Sequence, residues 1–236
     1  MTEPEVSVPA VMRNYHEVLR NDLAKVLAPR AEAGDLAGFV VAWQAYVQAI
    51  AVHAAMEDGV AGAGGGITTM LDQFFDGAVN AALFRAEHAD EHELQAAVTR
   101  ALPFGAGALR DAWAAYRACA EAHLQHEEDI MMPLVARLPQ EGKAALFAEW
   151  CVSAGVAHGG FDTFIAHGVA SLATFGSTKN TPAGATRVFA QSLRAVTTPA
   201  HWAQLLPVVR NAAGPAVWAA VSAEVPSLEA ASAHAA

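Results

Sequence analysis

Three segments of this chain pair metal-competent side chains at a helical spacing: His53 with Glu57, His88 with His92, and His123 with Glu127. Four residues turn a helix by about 400°, so each pair lies on one helix face. A chain built around such pairs is helical where they stand, and must gather several helices if the pairs are to act jointly. A fourth segment supplies His16, beside the apolar stripe Val11, Tyr15, Val18, Leu19, Leu23 and Val26, so it is expected to look inward. Glu128 also follows His123, but five residues on it points about 140° away, and only a π-type turn would bring it to the same centre. Pro133, which cannot donate to the carbonyl of Asp129, admits such an irregularity. Glu127 is favoured over Glu128, and both remain candidates. His126, skewed about 60° from His123, is read as an outer partner or a surface residue.

The rest of the composition narrows the class. Hydrophobic residues make up 54% of the 236, much of this alanine, while β-branched runs of period two are scarce. An all-α protein is expected. A formal charge of −10, without a basic stripe, speaks against nucleic acid or an anionic membrane as a partner. Charges or histidines are expected to break the apolar stretches well before the ~20 residues a membrane span requires. Met1-Thr2-Glu3-Pro4-Glu5 lacks the basic-then-apolar form of a signal peptide, so a cytoplasmic location is expected. Cys119 and Cys151 are far apart and are read as reduced, packed thiols.

Periodicity predicts a first helix from Pro9 to Leu27, ended by Ala28-Pro29-Arg30, and a second from an Asp35 N-cap to Glu57. A short helix is expected at 68–75, a third long one at 79–102 and a fourth at 108–138. The glycines between Gly59 and Gly66 separate the second helix from the short one, and no Lys-Ser/Thr follows them as a phosphate loop requires. In an up-down-up-down four-helix bundle, His16, His53/Glu57, His88/His92 and His123 fall at one level. The expected organisation is a bundle over 8–138, a helical C-terminal extension over 139–226 packed on the bundle or on a partner, and a flexible tail over 227–236. Within the extension, helices are expected at 143–156, 161–173, 185–196, 200–211 and 216–223, with a break at Gly214-Pro215. His158, His167, His201 and His234 are read as core or surface residues. Trp150, Trp202 and Trp218 are read as core anchors.

Imidazole nitrogen with carboxylate oxygen, and no thiolate, suits iron, manganese or zinc. Five histidines and two carboxylates are too many ligands for one ion and suit two, with a carboxylate between them. In order and spacing, His16, His53-x-x-x-Glu57, His88-x-x-x-His92 and His123-x-x-x-Glu127-Glu128 resemble the hemerythrin-like, or HHE cation-binding, family over about residues 10–138. The resemblance implies a four-helix bundle around two non-haem iron ions bridged by an oxo or hydroxo group. It also implies His16, His53, His88, His92 and His123 as terminal ligands, with Glu57 and Glu127 or Glu128 as bridging carboxylates. Oxygen-carrying hemerythrins differ in placing an Asp five residues after the fourth-helix His.

The function this implies is binding of O2, or of NO or peroxide, as sensor, store or scavenger, behind an apolar wall to which Trp43, Trp113 and Tyr116 are candidates. A reductase and a second copy of the chain are compatible partners. Three alternatives are a di-iron oxidase or peroxidase-like enzyme, a three-His mononuclear bundle of the DinB-like type, and a metal-free helical interaction module. Ferritin-like oxidases use carboxylate-rich sites, which favours binding over turnover here.

Overall fold

The computed structural model describes residues 7–60, 65–156 and 160–229, and the chain is all-helical. His158 and His234 lie outside the described residues. Ser7 caps α1 (Val8–Asn21), its hydroxyl accepting from the Ala10 amide, and the helix does not stop at Ala28-Pro29. It runs through a π turn, Asp22–Leu27, into α2 (Ala28–Ala33) and ends at Gly34, whose φ of 71° is left-handed. Pro29 falls in the first turn beyond the π segment, where a missing N–H is tolerated. The irregular turn thus lies in the first helix. The fourth long helix, α6 (Ala106–Arg137), is α-helical through Pro133 and offers Glu128 no such turn.

Asp35 caps α3 (Leu36–Asp58) by accepting from the Gly38 amide. This helix corrects the expectation that no stretch has the length and composition of a membrane span. By those two measures alone Leu36–Asp58 qualifies, yet 44% of the window is buried inside the protein, and both His53 and Glu57 are on it. The next helix, α4 (Gly66–Phe74), folds back against the end of α3. Gly66, at φ 74°, is required there, because a Cβ would stand 2.2 Å from the Glu57 carbonyl oxygen. Thr68 Oγ1 donates to that same oxygen at 2.8 Å and holds the turn that carries Glu57. The Asp72 carboxylate then accepts from the amides of Val79, Asn80 and Ala81 and so starts α5 (Ala81–Ala101) from outside the helix.

The inward faces follow alternating steps of three and four residues. On α3 they are Phe39, Trp43, Tyr46, Ile50, His53 and Glu57; on α5, Phe84, His88, Glu91 and Val98; on α6, Leu109, Trp113, Tyr116, Ala120, His123 and Glu127. This is the stripe of helices that pack along one another at a shallow crossing angle. Packing joins α5 to α6, α1 to α6 and α3 to α5.

The extension consists of α7 (Gln140–Val156), α8 (Gly160–Phe175), α9 (Pro182–Val196) and α10 (Pro199–Glu224). The predicted break at Gly214 is a kink inside α10, with φ 74° and ψ 160° at that residue. α7 packs on α3, while α8 and α9 pack on α1, and one hydrophobic core runs through both parts of the chain. Packing on both sides buries most of α1, the polar Asn14, His16 and Asn21 included, and leaves Arg13, Glu17 and Arg20 at its margin. Beyond Pro226 the chain is fastened as far as the description reaches: Leu228 is buried, and its carbonyl accepts from Trp202 Nε1 at 3.1 Å.

Candidate metal centre

Six of the eight candidate side chains meet in the interior: His16 from α1, His53 and Glu57 from α3, His88 from α5, and His123 and Glu127 from α6, each at most 5% exposed. Their atoms form two overlapping groups, His16/His53/Glu57/Glu127 and Glu57/His88/His123/Glu127, within each of which the ligand atoms lie within 4.8 Å of one another. The two carboxylates belong to both groups, and each divides its oxygens between them. Glu57 sets Oε1 3.4 Å from His53 Nε2 and Oε2 3.3 Å from His88 Nε2. Glu127 sets Oε2 2.9 Å from His16 Nε2 and 3.4 Å from His53 Nε2, and Oε1 2.5 Å from His123 Nε2.

These contacts are close but not aligned as hydrogen bonds. The four Nε2 atoms, Glu57 Oε2 and both oxygens of Glu127 are buried and have no hydrogen-bond partner. A buried polar atom without a partner costs about 1–3 kcal/mol, so several converging on two points require an explanation. A cation in each group, held by two imidazoles and one oxygen from each of the two shared carboxylates, would satisfy every one of them.

A second ring of carboxylates turns the imidazoles. His16 Nδ1 donates to Glu128 Oε1 at 3.0 Å, His88 Nδ1 to Asp58 Oδ2 at 2.8 Å, and His123 Nδ1 to Glu87 Oε2 at 3.0 Å. A carboxylate can only accept, so Nδ1 carries the proton and Nε2 is the atom presented to a metal. Arg20 anchors Glu128, and His126 shares Glu87 with His123. Nothing in the histidine spacing marked Asp58 or Glu87 for this role, although each immediately neighbours a ligand in sequence.

The buried charges compensate one another. Burial alone lowers an imidazole's pKa, but the carboxylates outweigh it: His16 rises to about 9 beside Glu127 and Glu128, and His123 to about 9 beside Glu127. His88 rises to about 11 against the same burial, through Asp58 and Glu57. Burial and the Glu127 charge raise Glu57, whereas His53, His16 and His123 overcome burial to hold Glu127 well below the usual carboxylate range. Burial would raise Glu128 as well, but His16 and Arg20 bring it to about 2.

Folded pKa values above the ordinary 6.5 mean that the contribution of His16, His88 and His123 is complete below about 6.5. It is lost as the pH climbs through about 9 and, for His88, about 11. Chelator-stripped protein is expected to show a lower urea midpoint at about pH 10 than at pH 7. A metal displaces these protons, so titrating zinc into stripped protein at neutral pH should release protons, read as a dependence of the heat on buffer ionisation enthalpy. Equal heats in all buffers would contradict the assignment.

His92 and Glu128 are not brought into either group. The inward stripe of α5 steps from His88 to Glu91, three residues on, and leaves His92 exposed. Glu127 occupies the stripe of α6, and Glu128, one residue further round, lies outside it as the partner of His16 and Arg20. Of the extension histidines, His167 pairs with Asp22 at 2.7 Å and His201 lies against Phe161. Cys119 and Cys151 are free thiols.

The wall also differs from the one anticipated. Trp43, Trp113 and Tyr116 cluster with one another about two to three helical turns from the ligands. The cavity that touches His16, His53 and Glu57 is lined instead by Tyr15 and Met12 and by Phe147, Trp150, Phe161 and Phe164 of the extension. It is almost wholly apolar and has room for about one water-sized molecule. No family model, curated protein or solved structure matches the chain, so the chemistry rests on this geometry.

Proposed function

We propose that this chain is a hemerythrin-like protein whose α1, α3, α5 and α6 form an up-down-up-down bundle around two non-haem iron ions. The bundle binds O2, NO or peroxide as sensor, store or scavenger. The observation that carries the reading is the division of oxygens: Glu57 and Glu127 each turn one oxygen toward the His16/His53 side and the other toward the His88/His123 side. Bound iron would supply redox electrons and an open coordination position for the small ligand. The chain's own part is to hold the ions with four imidazoles and two shared carboxylates, to fix the rings through Asp58, Glu87 and Glu128, and to exclude water. The ligand set has one imidazole fewer than the resemblance implies, because His92 faces solvent. It is still richer in nitrogen than carboxylate-dominated oxidase sites. The narrow apolar cavity fits a diatomic molecule better than an organic substrate, which favours ligand binding over turnover.

The test is metal content of gently purified protein, with an absorption spectrum before and after dithionite. About two irons per chain, matching the two ligand groups, with bands that reductant bleaches and O2 alters, are expected. His92→Ala should keep this content and His88→Ala should lower it. A single iron, or zinc, would favour a mononuclear site, and no metal even after anaerobic addition of iron would sink the reading.

A further inference from the structure

One buried polar cluster takes no part in holding a metal. Glu91 is 2% exposed and makes no ion pair among the described residues. Its Oε1 lies 2.7 Å from Tyr116 Oη, which is itself 2.9 Å from Tyr46 Oη, and both phenols are buried. A phenol has one proton, and the carboxylate only accepts, so the chain of donation runs from Tyr46 to Tyr116 to Glu91. The cluster stands next to the proposed centre. Glu91 is one turn along α5 from His88, and Tyr116 and Tyr46 are seven residues, about 10 Å of helix, before His123 and His53.

Aromatic rings continue from it toward the surface. Trp43 lies 5.0 Å from Tyr116 and 6.1 Å from Trp113, ring centre to ring centre. Trp43 Nε1 donates to the exposed Thr99, and Trp113 lines a surface depression with Arg110 and Arg117.

We propose that Tyr116 is a redox-active tyrosine with Glu91 as its proton acceptor, and that Tyr46, Trp43 and Trp113 lead oxidising equivalents from the interior to the surface. This rests on the di-metal reading for the source of the oxidant, which is the loaded site after reaction with hydrogen peroxide. In the step, Tyr116 loses one electron to that oxidant. Its O–H bond breaks, the proton forms a new O–H bond on Glu91, and a neutral phenoxyl radical remains. One electron from a solvent thiol, passed inward through the tryptophans, restores Tyr116 as Glu91 returns the proton; the thiol's own proton goes to solvent, and two such thiyl radicals join as a disulfide. The proton's move to Glu91 spares the apolar interior a phenol radical cation beside a carboxylate: the pair goes from one negative charge to none. Burial, with the Glu91 charge adding to it, keeps both phenols protonated beforehand.

The experiment is freeze-quench EPR of iron-loaded protein mixed with hydrogen peroxide, grown with ordinary or ring-deuterated tyrosine. A radical whose hyperfine structure collapses on deuteration is expected in the parent. It should be lost in Tyr116→Phe, mostly lost in Glu91→Gln, and retained with an altered spectrum in Tyr46→Phe. A metal-loaded parent that forms no tyrosyl signal, or a signal unchanged in Tyr116→Phe, overturns the proposal. Iron content measured on the same samples separates this from failure of the metal reading. If no iron binds, flash oxidation by a ruthenium polypyridyl tests Tyr116 alone. A tyrosyl signal lost in Tyr116→Phe then supports the relay, and none in the parent refutes it.

Discussion

Glu127→Ala is expected to empty both metal positions at once and to cost the stripped protein about 3–5 kcal/mol, the usual result of removing one partner from a buried ionic cluster. The residue is fully buried and reaches His16, His53 and His123 with its two oxygens, so its removal takes a ligand and a negative charge from each group. His16 and His123 owe much of their raised pKa to it, and burial would then drive both toward the neutral form. Glu127→Gln keeps the volume and one good ligand oxygen, which separates the loss of charge from the loss of packing. His53→Ala should behave differently, since His53 belongs to the first group only and its loss should spare the second ion. Glu128→Ala should leave two positions in place with metal affinity weakened about 10–100-fold, as expected when a ligand imidazole loses the group that orients it. Inductively coupled plasma analysis and urea unfolding of the four variants decide the matter. Full metal content in Glu127→Ala together with loss in Glu128→Ala would exchange the roles of the two glutamates.

The all-α class and the convergence of His16, His53, Glu57, His88, His123 and Glu127 were legible in the sequence, because side-chain spacing along a helix is set by its pitch alone. So was the preference for Glu127 over Glu128, which the four-residue step from His123 favours; the choice between Glu91 and His92 was not. A four-residue step overshoots a full turn by about 40° and a three-residue step falls short by about 60°, so spacing allows either His92 or Glu91 to follow His88 inward. The stripe that α5 buries against its neighbours selects Glu91. The corresponding stripe of α6 selects Glu127 over Glu128 without any distortion at Pro133. The first helix ran past Pro29 because the π turn at Asp22–Leu27 places the proline where it does no harm, and no composition rule marks such a turn. The least legible part was the wall. Trp150 reads as an ordinary core anchor, and only the packing of α7 on α3 and of α8 on α1 turns it and Phe164 toward the ligands.

Trp150→Ala should therefore speed the exchange of small ligands at the His16/His53 side as well as weaken the fold. Trp150 is 5% exposed and closes the cavity with Phe147, Phe161 and Phe164, one of which, Phe164, stacks on Tyr15 at 3.6 Å. Removing an indole from such a site costs about 3–5 kcal/mol. It also enlarges a space that holds about one small molecule and admits water to the ligands. Azide or NO binding followed by stopped flow is expected to accelerate about tenfold, equivalent to roughly 1.4 kcal/mol of barrier. The same opening should shorten the lifetime of the O2-exposed form, since water gains access to a site the chain keeps dry. Two controls isolate the cause. Trp150→Phe retains most of the wall and removes an indole N–H that has no partner, so it should be mild in both respects. Trp202→Ala loses a buried tryptophan of α10 that does not touch the cavity, and should destabilise without altering ligand kinetics. If Trp150→Ala and Trp202→Ala change the kinetics equally, loosening of the whole fold rather than the wall controls access. If neither changes them, the ligand enters from the His88/His123 side, and the extension serves stability alone.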